Sequence, residues 1–225
     1  IVLSVVPGIE DEILRHTIFH ELVHIRQIFH DILYWFEPDI YVPEDVDAST
    51  MKFLVEMIYD VYIFIADILV WNYIMMNIKK LPKNLLESIV SDGVQDALFF
   101  VGLPKGYRKK FIMDKPACMK LLMAYYKHRQ ADIAKKLGDE ESRLALEEVA
   151  EWILDISDMF DLYRKVLKKC ILPMTKTVTN ENIARALKCV FVEIYGENLS
   201  QCNLKVRIEH SGRGIYVFDF DYAEV

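Results

Sequence analysis

His20-Glu21-Leu22-Val23-His24 holds the residue types of this chain best suited to chemistry. Residues four apart on an α-helix stand one above the other on the same face, so His20 and His24 can offer two imidazole nitrogens to one metal ion. Glu21 lies beside them, where a carboxylate can take a proton from a metal-activated water. Metal-assisted hydrolysis is the chemistry this set supports, and zinc is the fitting ion. Two imidazoles do not complete such a site. A catalytic zinc takes three protein ligands and keeps one position open, so a third ligand must come from elsewhere in the chain.

The elements that must position these residues can be read from breakers and periodicity. Asp11 to Phe36 reads as one long helix, set off by Pro7-Gly8 before it and Pro38 after it. His30 follows His24 by six residues. On a continuous helix six residues turn about 600°, which leaves His30 about 120° from the face of His24. Gln27 gives no reason for the helix to stop, so His30 is expected to point away. His16 shares the face of His20 and His24 and is expected to be a structural or exposed histidine.

A second helix, Phe53 to Ile78, is almost wholly apolar apart from Glu56, Asp60, Asp67 and two asparagines. At 100° per residue the three acids fall within about 40° of one another. A bare carboxylate on a buried helix is costly, and a metal or a cation offsets that cost. The stripe is therefore read as a source of the third ligand. Its alternative is the one solvent-facing stripe of an otherwise buried helix.

With His20-Glu21-x-x-His24 on one helix and Glu56-x-x-x-Asp60 on the next, the chain resembles the zincin metallopeptidases of the gluzincin type over about fifty residues. The resemblance implies that His20, His24 and Glu56 hold Zn(2+), that Asp60 supports one of the histidines, and that Glu21 is the general base. His30 and Asp67 are alternative ligands. The spelling through Gln27 to His30 is similar to the metzincin pattern, with Gln27 where that family has glycine. Arg26 stands where the longer zincin consensus has a hydrophobic residue. The β-sheet that usually precedes the motif helix has only about ten residues here in which to form. A peptide or protein is the implied substrate. The alternative is a non-catalytic α-helical binding protein with a structural or vestigial metal site. Glu21-x-x-His24 also matches half of a di-iron signature, but no second copy follows.

The remaining sequence reads as helices over 82–100, 115–137, 139–169 and 180–195, the last with Thr179 as N-cap and Gly196 as stop, then a β-hairpin of Leu204–Glu209 and Ile215–Tyr222 around Ser211-Gly212-Arg213-Gly214. The fold class is thus mainly α (α+β): a multi-helix domain over 1–175 that carries the motif helix, with a small helix plus hairpin over 176–225 packed on it. Ile1 to Val6 reads as a strand, and the absence of an initial Met suggests a processed product or a fragment.

Of 225 residues, 34 are acidic and 27 basic, for a net charge of −7 and a pI near 5.4, which weighs against nucleic acid as a partner. The basic run Lys105-Gly106-Tyr107-Arg108-Lys109-Lys110 is read as loop or helix-end charge. Glu148, Glu151, Asp155 and Asp158 are read as a solvated face. Cys118, Cys170, Cys189 and Cys202 form no C-x-x-C pair and are read as reduced thiols of a cytoplasmic protein. The apolar stretch Val61 to Met76 is interrupted by Asp67 and Asn72, which favours a buried core helix over a membrane partner.

Overall fold

The computed structural model describes residues 11–32, 38–212 and 214–223. Its elements in chain order are α1 (Asp11–Phe29), β1 (Asp39–Tyr41), α2 (Ala48–Asn77), α3 (Lys83–Gly102), α4 (Lys105–Met113), α5 (Ala117–Leu137), α6 (Glu140–Ile156), α7 (Phe160–Val166), a π-helical turn (Leu167–Ile171), α8 (Leu172–Lys176), α9 (Asn180–Gln201), β2 (Leu204–Gly212) and β3 (Ile215–Tyr222). The protein is mainly α with a small β part. The expected strand at Ile1–Val6 and the stretch 33–36 of the expected motif helix lie outside the described residues.

The longest helix, α2, contains neither proline nor glycine. It starts earlier than its apolar run because Asp47 caps it. The Asp47 carboxylate accepts from the backbone N–H groups of Ser49 and Thr50 at 2.9 and 3.0 Å and from the Thr50 hydroxyl at 2.6 Å. These bonds hold the Asp47 carboxyl well below the usual carboxylate range.

Three helix ends differ from the sequence reading, and each has a local cause. α1 stops at Phe29 rather than continuing to Phe36. The Asp31 N–H donates to the Ile28 carbonyl, the Ile32 N–H donates to the Gln27 carbonyl, and Asp31 takes φ 52°. That is a Schellman cap with aspartate in the left-handed position usually filled by glycine. The expected helix 139–169 is broken between α6 and α7, where Asp158 has φ 53° and the Ser157 hydroxyl donates to the Ile153 carbonyl at 2.6 Å. α9 runs through Gly196, the expected stop, because Tyr195 just before it and Leu199 one turn later are both buried. Its N-cap is the expected one: Thr179 accepts from the Asn182 N–H at 3.2 Å. The run at Lys105 is a helix, α4, where sequence reading gave only loop or helix-end charge.

The chain divides into two compact units, and α1 and α2 each contribute residues to both. One unit takes the residues up to 23 with 70–115 and 120–158. Trp71, Ile74, Ile89, Leu121, Ile133, Leu146 and Ile153 form its buried interior. Within it α3 and α5 meet closely at Gly93. A Cβ there would lie 2.4 Å from Oε1 of Gln130, whose Nε2 donates to the Ile89 carbonyl at 3.3 Å. Beside this contact buried Lys127 donates to the Gly93 carbonyl at 3.0 Å and to Asp96 at 3.1 Å, and burial pushes its pKa down.

The other unit takes 24–69, 116–119 and 159 onward. Its sheet has the order β1-β3-β2, with β2 and β3 antiparallel, as the alternation predicts, and β1 parallel to β3 in the register Asp39 to Val217. Leu204, Val206 and Ile208 of β2 and Tyr216, Phe218 and Phe220 of β3 are buried on one face, where Phe191 of α9 lies against Phe218 and Phe220. Cys170 and Cys189 form a disulfide in this unit, linking the π-helical turn to α9. The reading of four reduced thiols is corrected for these two, and with it goes the thiol argument for a reducing compartment. Spacing could not reveal the pair, because it depends on the turn that faces the two helical segments toward each other. Cys118 and Cys202 are free thiols. Among the described residues, no helix is long and apolar enough to cross a membrane.

Gly93→Ala is expected to lower stability by about 1–3 kcal/mol, because Gln130 must leave its buried hydrogen bond. Thermal unfolding of Gly93→Ala and of Gly93→Ala/Gln130→Ala checks this, with partial recovery expected in the double variant. Cys170→Ser is expected to cost about 3 kcal/mol, the chain-entropy value for a loop of this size. Denaturant unfolding with and without reductant measures it.

Candidate metal centre

α1 sets the first two side chains of the centre. His24 is buried, and His20, one turn earlier on the same face, is half-buried. The helix alone therefore fixes their separation. The third side chain comes from α2. Asp67 is buried among Ile65, Ala66, Ile68 and Leu69, and its Oδ1 lies 3.1 Å from His24 Nε2. One ligand atom from each of His20, His24 and Asp67 lies within 4.8 Å of the others, the only such group among the described residues. Two imidazoles and a carboxylate at this spacing fit a zinc ion by donor chemistry.

The histidines have further partners in the unit that holds residues up to 23. The His20 ring meets the edges of His16 and Tyr126 at centroid distances of 6.3 and 6.4 Å. His16 is buried, packs 6.2 Å from Trp71, and shares a 2.9 Å hydrogen bond between its Nδ1 and Asp92 Oδ2. This agrees with the sequence reading of His16 as structural.

The remaining sequence candidates are placed as follows. Glu21 follows His20 on α1, with its side chain half-buried. His30 is exposed in the turn after α1 and lies outside the group, as expected, although the cause is the end of the helix rather than its phase. Glu56, the ligand implied by the resemblance, is not brought to the histidines. Its side chain is 64% exposed, with Oε1 3.9 Å from Lys52 Nζ one turn earlier. Asp60, the implied support for a histidine, instead accepts from the Tyr195 hydroxyl at 3.1 Å, and partial burial pushes its pKa up. Buried Cys118 stands 3.8 Å from the same hydroxyl.

Helix phase explains this outcome. Glu56 and Asp67 are eleven residues apart, about 1100° of turn, so they share a stripe but differ by about 16 Å along the axis. Periodicity reports the stripe and not the level. One sequence signal did separate them: Glu56 has Lys52 four residues before it, whereas Asp67 has no cation within four residues on α2.

No protein-family model, no curated protein and no solved structure matches this chain. Function therefore has to be argued from the site itself.

Zinc affinity is expected to fall more than about a hundredfold in His24→Ala and Asp67→Ala and to stay near wild type in Glu56→Ala and His30→Ala. Calorimetric zinc titration of the metal-stripped proteins measures this. Loss in Glu56→Ala with retention in Asp67→Ala would overturn the assignment.

Proposed function

We propose that the chain is a zinc-dependent hydrolase of the metallopeptidase kind, with His20, His24 and Asp67 as ligands and Glu21 as general base. The observation that carries this reading is the grouping of those three ligand atoms, with a glutamate next to the more exposed histidine. Bound zinc would supply a Lewis acid and lower the pKa of water to about 7. The work of the protein's own residues then divides clearly. The buried His24–Asp67 pair anchors the donor set in the core, while half-buried His20 leaves one side nearer solvent. Glu21 accepts a proton from the attacking water and passes it to the leaving amine, the role a carboxylate beside such a centre can fill.

A second reading, a non-catalytic metal site that ties α1 to α2, is favoured by the burial of both His24 and Asp67. Metal analysis and one substitution separate the two. Protein purified without added metal should hold about one zinc per chain, since the donor set has room for one tetrahedral ion. Glu21→Gln should keep that zinc while losing about 10²–10⁴-fold in turnover of a substrate drawn from a peptide library. Full zinc content with no turnover of any peptide or ester by the wild type would favour the structural site, and in that case chelation would lower the unfolding temperature.

A further inference from the structure

We propose that α4 and the last turn of α3 form a docking surface for the anionic face of a phospholipid bilayer. Overall acidity argues against a membrane partner, but that acidity is an average over the chain. Residues 98–115 hold Lys105, Arg108, Lys109, Lys110 and Lys115 against Asp114 alone, a net charge of +4 in a chain of −7, so the rest of the chain carries −11. An anionic surface repels most of this protein and attracts this one stretch, which fixes the face that approaches.

The same stretch exposes apolar side chains that packing has not covered. Leu98, Phe99 and Val101 at the end of α3 and Tyr107 and Met113 of α4 are each about half exposed or more, Tyr107 reaching 71%. Ring contacts run from Phe99 through Phe100 of α3 to Phe111 of α4 at centroid distances of 6.2 and 5.2 Å, with Lys115 Nζ 4.5 Å from the Phe111 ring centre. Buried Ile112 fixes which way α4 faces, and the Arg108 guanidinium over Trp152 of α6 at 5.2 Å secures it. On that frame Lys105, Lys109 and Met113 recur along one side of α4, and Lys110 lies about 60° further round from Met113. These four line an open groove of about 800 Å³ against Trp152 and Ile156, where Asp114 and Asp155 are the acidic members.

Exposed aromatic and aliphatic groups interleaved with lysines are the composition of a bilayer-surface contact. The apolar groups enter the headgroup boundary while the lysines stay with the phosphates. An acidic protein would satisfy the lysines but leave Leu98, Phe99 and Tyr107 without a comparable role, so the lipid is the better match. No crossing helix is needed for this mode of binding.

The test is co-sedimentation of the full chain with vesicles of phosphatidylcholine alone and of phosphatidylcholine with 30% phosphatidylglycerol, at low and high salt. Binding is expected to be roughly tenfold or more stronger on the anionic vesicles and to weaken with salt. Lys105→Glu/Lys109→Glu/Lys110→Glu should abolish the anionic preference. Leu98→Ser/Phe99→Ser should weaken binding about tenfold or more while the lysines remain. All five positions are exposed, and an unchanged circular dichroism spectrum confirms that each variant is folded. Equal binding to both vesicle types, no binding to either, or an unaffected lysine variant would overturn the proposal. So would full competition by a soluble polyglutamate together with undiminished binding of the Leu98→Ser/Phe99→Ser variant, since that pair of results describes an acidic protein partner.

Discussion

A carboxylate on a helix buried along most of its length is tolerated only where a partner meets it, and Asp67 of α2 is where that constraint acts. Isoleucine, alanine and leucine surround it in sequence, and the residue is buried. His24 supplies the partner, and in doing so fixes which turn of α1 stands against which turn of α2. The level of His20 follows from the helix. This polar contact in an apolar setting pins one turn of α1 to one turn of α2, beside which the helix places His20. Stability alone would be served as well by an apolar residue at Asp67, so the pair adds specificity of register rather than net stabilisation.

Much of the architecture can be read from periodicity and punctuation. The helical character, the hairpin and the N-cap at Thr179 follow from residue spacing, because each depends on neighbours within a few positions. The errors share one origin. Asp31, Asp158 and Asn203 take left-handed conformations without being glycine, so the turns at the first two went unseen and the end of α9 was set too early, at Gly196. The disulfide and β1 also escaped notice, since both depend on which distant segments the fold places side by side.

The candidate site was legible to the same depth. Motif spacing gives the histidine pair outright, since an i, i+4 relation needs nothing but a helix. Phase gives the acidic stripe. What phase cannot give is height along the axis: the resemblance implies Glu56, with Asp67 as an alternative, and Asp67 is the acid the fold brings beside His24. The presence or absence of a cation one turn away was the local clue: Glu56 has Lys52 there, and Asp67 has no cation within four residues on α2.

The parallel pairing of β1 with β3 has a consequence for the order of folding. β1 precedes α2 in the chain and β3 follows α9, so Asp39 waits for Val217 across every helix from α2 to α9. Tyr62 of α2, which donates to the Gly214 carbonyl, and the Ile32 carbonyl, which accepts from Tyr216, wait for the same late segment. On a ribosome the first half of α2 would emerge long before the strands that cover it. Contacts of such long range form slowly, and until they do the apolar face of α2 is open to wrong partners. The unit that holds β1 and β3 therefore closes only once β3 has been made, whatever has formed before it.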